Sequence, residues 1–168
     1  DTEILLNYLI YFGIEKALFN AKGMFAFGLW DQENKKLILA RDRFGEKPLY
    51  YGFDNENIIF ASDLVSIAHL FKNKPNININ STDLFLKLGF IPSPNSIYDN
   101  VFKLELGSYI EILPNIAIDR VIKKNYLLSQ FSENGFKKEK YFDLHNEFNN
   151  ISSKTKSIVT TNSIDDTI

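Results

Sequence analysis

Along the first eighteen residues apolar side chains return every three or four positions, at Ile4, Leu5, Tyr8, Leu9, Phe12 and Ala17. This spacing predicts an amphipathic helix over Thr2 to Leu18, with an acid in its first turn where the helix dipole favours one. The period then changes. Met24 to Trp30 is apolar at nearly every position, which reads as a strand buried on both faces, with Phe25 and Trp30 in the core. Asp31 to Lys35 supplies turn residues, and return strands are expected at Leu37 to Ala40, Leu49 to Phe53 and Ile58 to Ala61, giving four successive antiparallel strands. Helices are expected at Asp63 to Phe71 and Ser81 to Leu88, the second capped by Ser81 and stopped at Gly89. Pro92 and Pro94 enforce an extended loop, and Ser108 to Leu113 alternates as one more strand. From residue 120 onward the pattern decays into Lys, Asn and Ser and reads as a weakly structured linker. The whole is an α+β pattern, a sheet covered by helices.

Composition narrows the function classes. The chain has 168 residues, fifteen Phe and eight Tyr, enough large apolar side chains for one globular core. A formal net charge of −2 and the lack of a basic, aromatic-interleaved stripe before residue 120 argue against nucleic acid. There is no cysteine, which removes disulfides, thiolate metal sites and a thiol nucleophile together. No apolar stretch approaches the roughly 18 residues of a membrane span, and no basic, apolar leader opens the sequence, so no membrane is expected and the cytoplasm is the expected compartment.

Several candidates read most simply as structure. Arg41, Asp42, Arg43 and Lys47 around Gly45 could form an anion site, but an Arg-Asp pair ending one strand and a Lys-Pro opening the next reads as a salt-bridged corner. His69 and His145 have no cysteine or second histidine nearby and receive no role. Lys137, Lys138 and Lys140, set among Glu133 and Glu139, read as a solvated face.

Taken in order, the strings DTE, GMFAFGLWD, LARDRFGEKPLYYG, FASDL and LGFIPSPNSIYDNVFKLELGSYIEI, spanning residues 1 to 112, resemble class II glutamine amidotransferases and, among them, the asparagine synthetases. Glutamine phosphoribosylpyrophosphate amidotransferases carry an Arg-Asp, Gly, Pro-Leu pattern similar to the RDRFGEKPLYYG string; the Leu88-Gly89-Phe90 helix end, with Ile91-Pro92-Ser93-Pro94, Ser96-Ile97-Tyr98 and Lys103-Leu104, favours asparagine synthetase. Glu105-Leu106 departs from the resemblance, because the family usually has two prolines before this glycine.

The resemblance implies a partial four-layer αββα sandwich of antiparallel sheets, the N-terminal nucleophile hydrolase fold. It implies residues 1–119 as part of the amidotransferase domain and residues 120–168 as a linker toward an ATP-dependent synthetase domain, with Tyr141-Phe142 at the junction. The family's nucleophile is an N-terminal cysteine with its own α-amine as base; this chain has neither, so no residue here is expected to be catalytic and the chain alone is expected to be inactive. One contact carries over. The aspartate of the family's Ser-Asp-x-Glu element binds the α-amino group of glutamine, and Asp1 holds that position, where it would otherwise read as a helix-start acid. Glutamine is thus the expected ligand of this part. Aspartate, ATP and Mg2+ are expected for the intact protein, with no cofactor or metal in residues 1–168, and a homodimer is compatible with the reading. Two alternatives stay open: a related amidotransferase acting on another carboxylate, such as a polysaccharide sugar acid, and a non-catalytic docking module on the same scaffold.

Overall fold

The computed structural model describes residues 2–55, 57–114, 116, 118–125, 130–133 and 135–152. The first element, α1 (Thr2–Asn20), is broken at Gly13, whose φ of 76° and ψ of 169° lie outside the helical region. Glycine adopts this conformation without the steric cost of a Cβ. The single amphipathic helix expected over Thr2 to Leu18 is therefore corrected, and its apolar positions no longer share one face. Ala17 and Leu18 are buried, whereas Ile4 is 73% exposed and Ile10 and Tyr11 also face solvent.

The strands are β1 (Ala26–Asp31), β2 (Lys36–Arg41), β3 (Tyr50–Asp54), β4 (Asn57–Ala61), β5 (Val101–Lys103), β6 (Ser108–Ile112), β7 (Phe131–Glu133) and β8 (Phe136–Lys140). They form two antiparallel sheets, ordered β1-β2-β6-β8-β7 and β4-β3-β5. The single run of four successive strands is thus split. β1 pairs with β2 and β3 with β4, while β2 turns to β6, with Leu39 opposite Ile110, and β3 turns to β5, with Tyr51 opposite Phe102.

Period-two alternation explains how the layers stack. Leu39 of β2, Tyr51 and Phe53 of β3, Phe102 of β5, Ile110 and Ile112 of β6 and Phe136 of β8 point between the sheets and form the main core. Their neighbours point outward. Ala40 and Tyr109 meet Leu18 and Ile14 of α1, with Phe25 and Phe27 against them. On the opposite side Ile59 and Val101 meet Ile67 of α2 (Leu64–Leu70). The order is helix, sheet, sheet, helix, the four-layer αββα arrangement.

Three expectations change here. β1 is an edge strand, paired on one side with β2 among the described residues, and none of its residues is fully buried, so it is not the strand buried on both faces that was expected; Trp30 is 54% exposed and leaves the expected core, and Phe25 is only half-buried. The helix α3 (Ile79–Leu88) begins two residues earlier than expected and is capped by Asn78, whose side chain accepts from the Ser81 amide at 2.8 Å, while Ser81 is buried inside the helix. Gly89 ends it in the left-handed conformation, as expected. Replacing Asn78 by alanine is expected to lower stability by about 1 kcal/mol, and Ser81→Ala to cost less than that, as read from urea denaturation midpoints.

The third change is the largest. Where a weakly structured linker was expected from residue 120, the structure has α4 (Ile118–Asn125), β7 and β8, and a last helical stretch at 144–152. β8 pairs with β6 along its whole length, Ile112 to Phe136 and Ser108 to Lys140. Val121 and Phe136 belong to the main core. Two well-placed apolar residues and a ladder to β6 organise a segment whose composition looks like a linker.

Candidate functional site

At one end of the sandwich four segments enclose a cleft of about 580 Å³. Thr2 and Leu5 come from the start of α1, residues 21–27 from the turn into β1, Lys47 and Pro48 from the corner between β2 and β3, and Ser62 from the end of β4. The turn into β1 depends on Gly23, at φ +125°, a conformation that L side chains rarely adopt. Asp1, the candidate glutamine ligand, lies outside the described residues; Thr2, which follows it, lines the cleft.

The wall formed by Lys47 and Pro48 is held by the corner before it. The Arg41 guanidinium, on a residue only 8% exposed, donates to three backbone carbonyls: Nε to Lys47 at 2.8 Å, Nη1 to Leu104 at 2.6 Å and Nη2 to Gly45 at 2.5 Å. The buried Asp42 carboxylate does the converse. Its Oδ1 accepts from the amides of Phe44 and Glu46 and its Oδ2 from Lys47, at 2.9–3.1 Å. Burial opposes ionisation of Asp42, yet these amides together outweigh it and hold the carboxyl below its ordinary range. The expected salt-bridged corner is therefore corrected in kind: Arg41 is spent on carbonyls of the turn and of Leu104 and Asp42 on amides of the turn, so the Arg41 guanidinium is not free to take an anion. The Asp42 amide also donates to Phe25 O at 2.9 Å, fixing the opposite lip of the cleft to the same turn.

Arg43 turns away from the cleft, donating to Phe19 O and lying over the rings of Phe19 and Phe142. His69 is exposed in the last turn of α2, and His145 is exposed. Of the three lysines expected on a solvated face, Lys138 is corrected. It points between the sheets, is fully buried, and its Nζ lies 2.6 Å from Glu105 Oε2. Sequence position gives no hint of this, because a segment with three lysines and one apolar residue in five hides the strand that alternates Lys138 inward. Glu105, the departure from the family pattern, is thus the residue that receives it. Lys137 is on the opposite face, reaching Glu15 at 3.3 Å and Tyr109 Oη at 3.2 Å; burial pushes the Tyr109 hydroxyl up to about 12 against the pull of Lys137. Lys140 bonds Asp143 at 2.5 Å.

Chemically, the cleft offers two lysines, two hydroxyls and backbone groups, and no cysteine, histidine or carboxylate lines it among the described residues. It can hold a small polar molecule. Among the described residues no group of three or more His, Cys, Asp or Glu side chains is placed to hold a metal ion, and no helix is long and apolar enough to cross a membrane. Nothing in the sequence marks Leu5, Lys22, Met24 or Ser62 as site residues, and Gly23 before an apolar run is the local signal that marks this turn.

Residues 1–126 match the family model described as a glutamine amidotransferase domain. A protein provisionally named glutamine-hydrolysing asparagine synthetase 2 of Methanocaldococcus jannaschii is 41% identical over 107 residues, 62% of this chain and 21% of the relative. Asparagine synthetase 1 of Bacillus subtilis is 34% identical over 141 residues, 83% of this chain and 22% of the relative. The glutamine-hydrolysing asparagine synthetase of Mus musculus is 31% identical over 152 residues, 76% of this chain and 27% of the relative. The chain thus spans between 21% and 27% of the length of these three relatives. With the αββα layers and a match over three quarters of its residues, the chain belongs to the glutamine amidotransferase domain family.

Proposed function

We propose that this chain is part of a glutamine-hydrolysing asparagine synthetase, in which the cleft beside Thr2 holds glutamine and Asp1 binds its α-ammonium group. The observation that carries this reading is the convergence of the start of α1, the turn at Gly23 and the Lys47–Pro48 wall on one cleft. A carboxylate at the start of α1 supplies the anion that an ammonium needs, while the lysines and backbone donors of the cleft suit the polar remainder of an amino acid. The nitrogen released from glutamine would amidate aspartate. In this reading ATP supplies aspartate activation with Mg2+ elsewhere in the protein; among the described residues no carboxylate cluster is placed to hold the metal. The amidotransferase unit extends past residue 119, because β8 completes the pairing of β6.

The test uses the longer polypeptide that carries this chain. Asp1→Asn is expected to raise the glutamine KM by about ten- to a hundredfold, the range for losing a charge-assisted hydrogen bond, and to leave asparagine formation from added ammonia unchanged. An unchanged glutamine KM would remove Asp1 from the site. Absence of any ammonia- or glutamine-dependent asparagine formation by the unaltered protein would overturn the assignment as a whole.

A further inference from the structure

The ion pair between Lys138 and Glu105 lies outside the cleft, yet its connections lead to it. Taking an ammonium and a carboxylate out of water costs desolvation that their attraction repays only partly, so apolar residues of similar size usually serve stability as well or better. Lys138 follows that rule: burial holds its ammonium below the ordinary lysine range despite the opposing pull of Glu105. The pair's use is therefore to be sought in what it holds in place.

Glu105 sits in the short segment between β5 and β6, and each flank of that segment is bonded to the cleft's corner. On one side the Leu104 amide donates to Leu49 O at 2.9 Å and Leu104 O accepts from Arg41 Nη1 at 2.6 Å; Arg41 Nε in turn grips Lys47 O at 2.8 Å. On the other side the Gly107 amide donates to Asp42 O at 2.8 Å, and Asp42 gathers the amides of Phe44, Glu46 and Lys47. β8 is joined to the same region at its far end, where the Tyr141 amide donates to Gly107 O at 2.8 Å and Tyr141 Oη to Arg41 O at 2.9 Å.

We propose that Glu105 and Lys138 are positioning residues: their ion pair latches β8 onto the 104–107 segment and, through Leu104 and Arg41, sets the Lys47–Pro48 wall of the cleft. The proposal rests on the reading of that cleft as the glutamine site. The latch tells apart two roles for β8, passive filling of the sheet and active support of the site. In the first, loosening β8 weakens the whole domain evenly; in the second, the corner loosens first.

Amide hydrogen exchange on the longer polypeptide that carries this chain separates these roles without any ligand, so failure here is distinguishable from failure of the glutamine assignment. In Lys138→Met the amides of Phe44, Glu46 and Lys47 are expected to exchange about tenfold faster, beyond any change at Phe53 and Thr82, whose amides report the second sheet and α3. Glu105→Gln keeps an acceptor for Lys138 and is expected to leave the corner amides within about twofold of the unaltered chain. Equal acceleration at all five amides, or none at the corner, overturns the proposal. Should Lys138→Met fail to fold, Glu105→Leu with Lys138→Met leaves no buried charge unpaired and is expected to fold. That double variant must show the same selective loss at the corner, and even protection in it is equally fatal.

Discussion

Replacing Arg41 by methionine is expected to lower the unfolding free energy by about 2–4 kcal/mol, since three carbonyls lose their donor: that of Leu104 is buried and costs roughly 1–3 kcal/mol unsatisfied, while those of Gly45 and Lys47 are partly buried and cost less. Methionine keeps much of the side-chain volume, so the loss reports hydrogen bonds more than packing. The carbonyls are those of Gly45, Lys47 and Leu104, the first two in the turn and the third in the segment between β5 and β6. One planar guanidinium spans both. Lysine in its place is expected to restore less than half of the loss, because a single ammonium cannot reach donors' positions that diverge from a rigid fork. Urea denaturation followed by circular dichroism gives the comparison. A midpoint for Arg41→Met within error of the unaltered chain would mean that water replaces the guanidinium at no cost and that the corner is not a structural keystone.

Gly107→Val is the second large effect. Gly107 has φ +61°, and a Cβ built on it would lie 2.6 Å from the backbone oxygen of Phe142, a contact that only backbone movement relieves. The left-handed conformation alone costs a β-branched residue about 1–2 kcal/mol, and overpacking typically adds about 1–3 kcal/mol. The displaced stretch takes with it the Tyr141 and Phe142 amides, both bonded to Gly107 O, and the Phe142 ring packed edge-on against Phe44 at 5.8 Å. A total loss of about 3–4 kcal/mol is expected, with the Tyr141 ring signals shifted in NMR spectra. Gly89→Ala is the control. Gly89 has φ +77° but nothing within 4 Å of a built Cβ, so its cost is expected near 1 kcal/mol, purely conformational. If the two variants were equally destabilised, the clash with Phe142 would carry no weight.

What the sequence revealed divides along physical lines. β2, β3 and β4 were legible because each contains consecutive or alternating apolar residues between turn residues, and Gly89 was legible as a stop because a helix end needs the left-handed conformation. The kink at Gly13 was hidden by apolar spacing that continues on both sides of it. Position in the sheet was equally hidden: nothing local says that the apolar run at Phe25 to Trp30 forms an edge and leaves its tryptophan in solvent. β8 shows the strongest override. With Lys at 137, 138 and 140 it carries one apolar residue, Phe136, and becomes a strand because β6 offers a ladder and Glu105 a partner. The role proposed for Asp1 rests on the order of whole strings, since a lone acid at a helix start specifies little by itself, and the described walls of the cleft meet only after the sheets have stacked.

The strand order also bears on how the chain reaches this state. β2 meets β6 only after residues 42–107 have looped back, and within that loop the β3–β4 hairpin and α2 have contacts close in sequence. Loop closure is cheaper when the intervening chain is already compact, and pairings distant in sequence slow folding. Refolding is expected to form the β1–β2 and β3–β4 hairpins before β2 meets β6, so that the bond from Arg41 to Leu104, and with it the wall of the cleft, is completed late in folding.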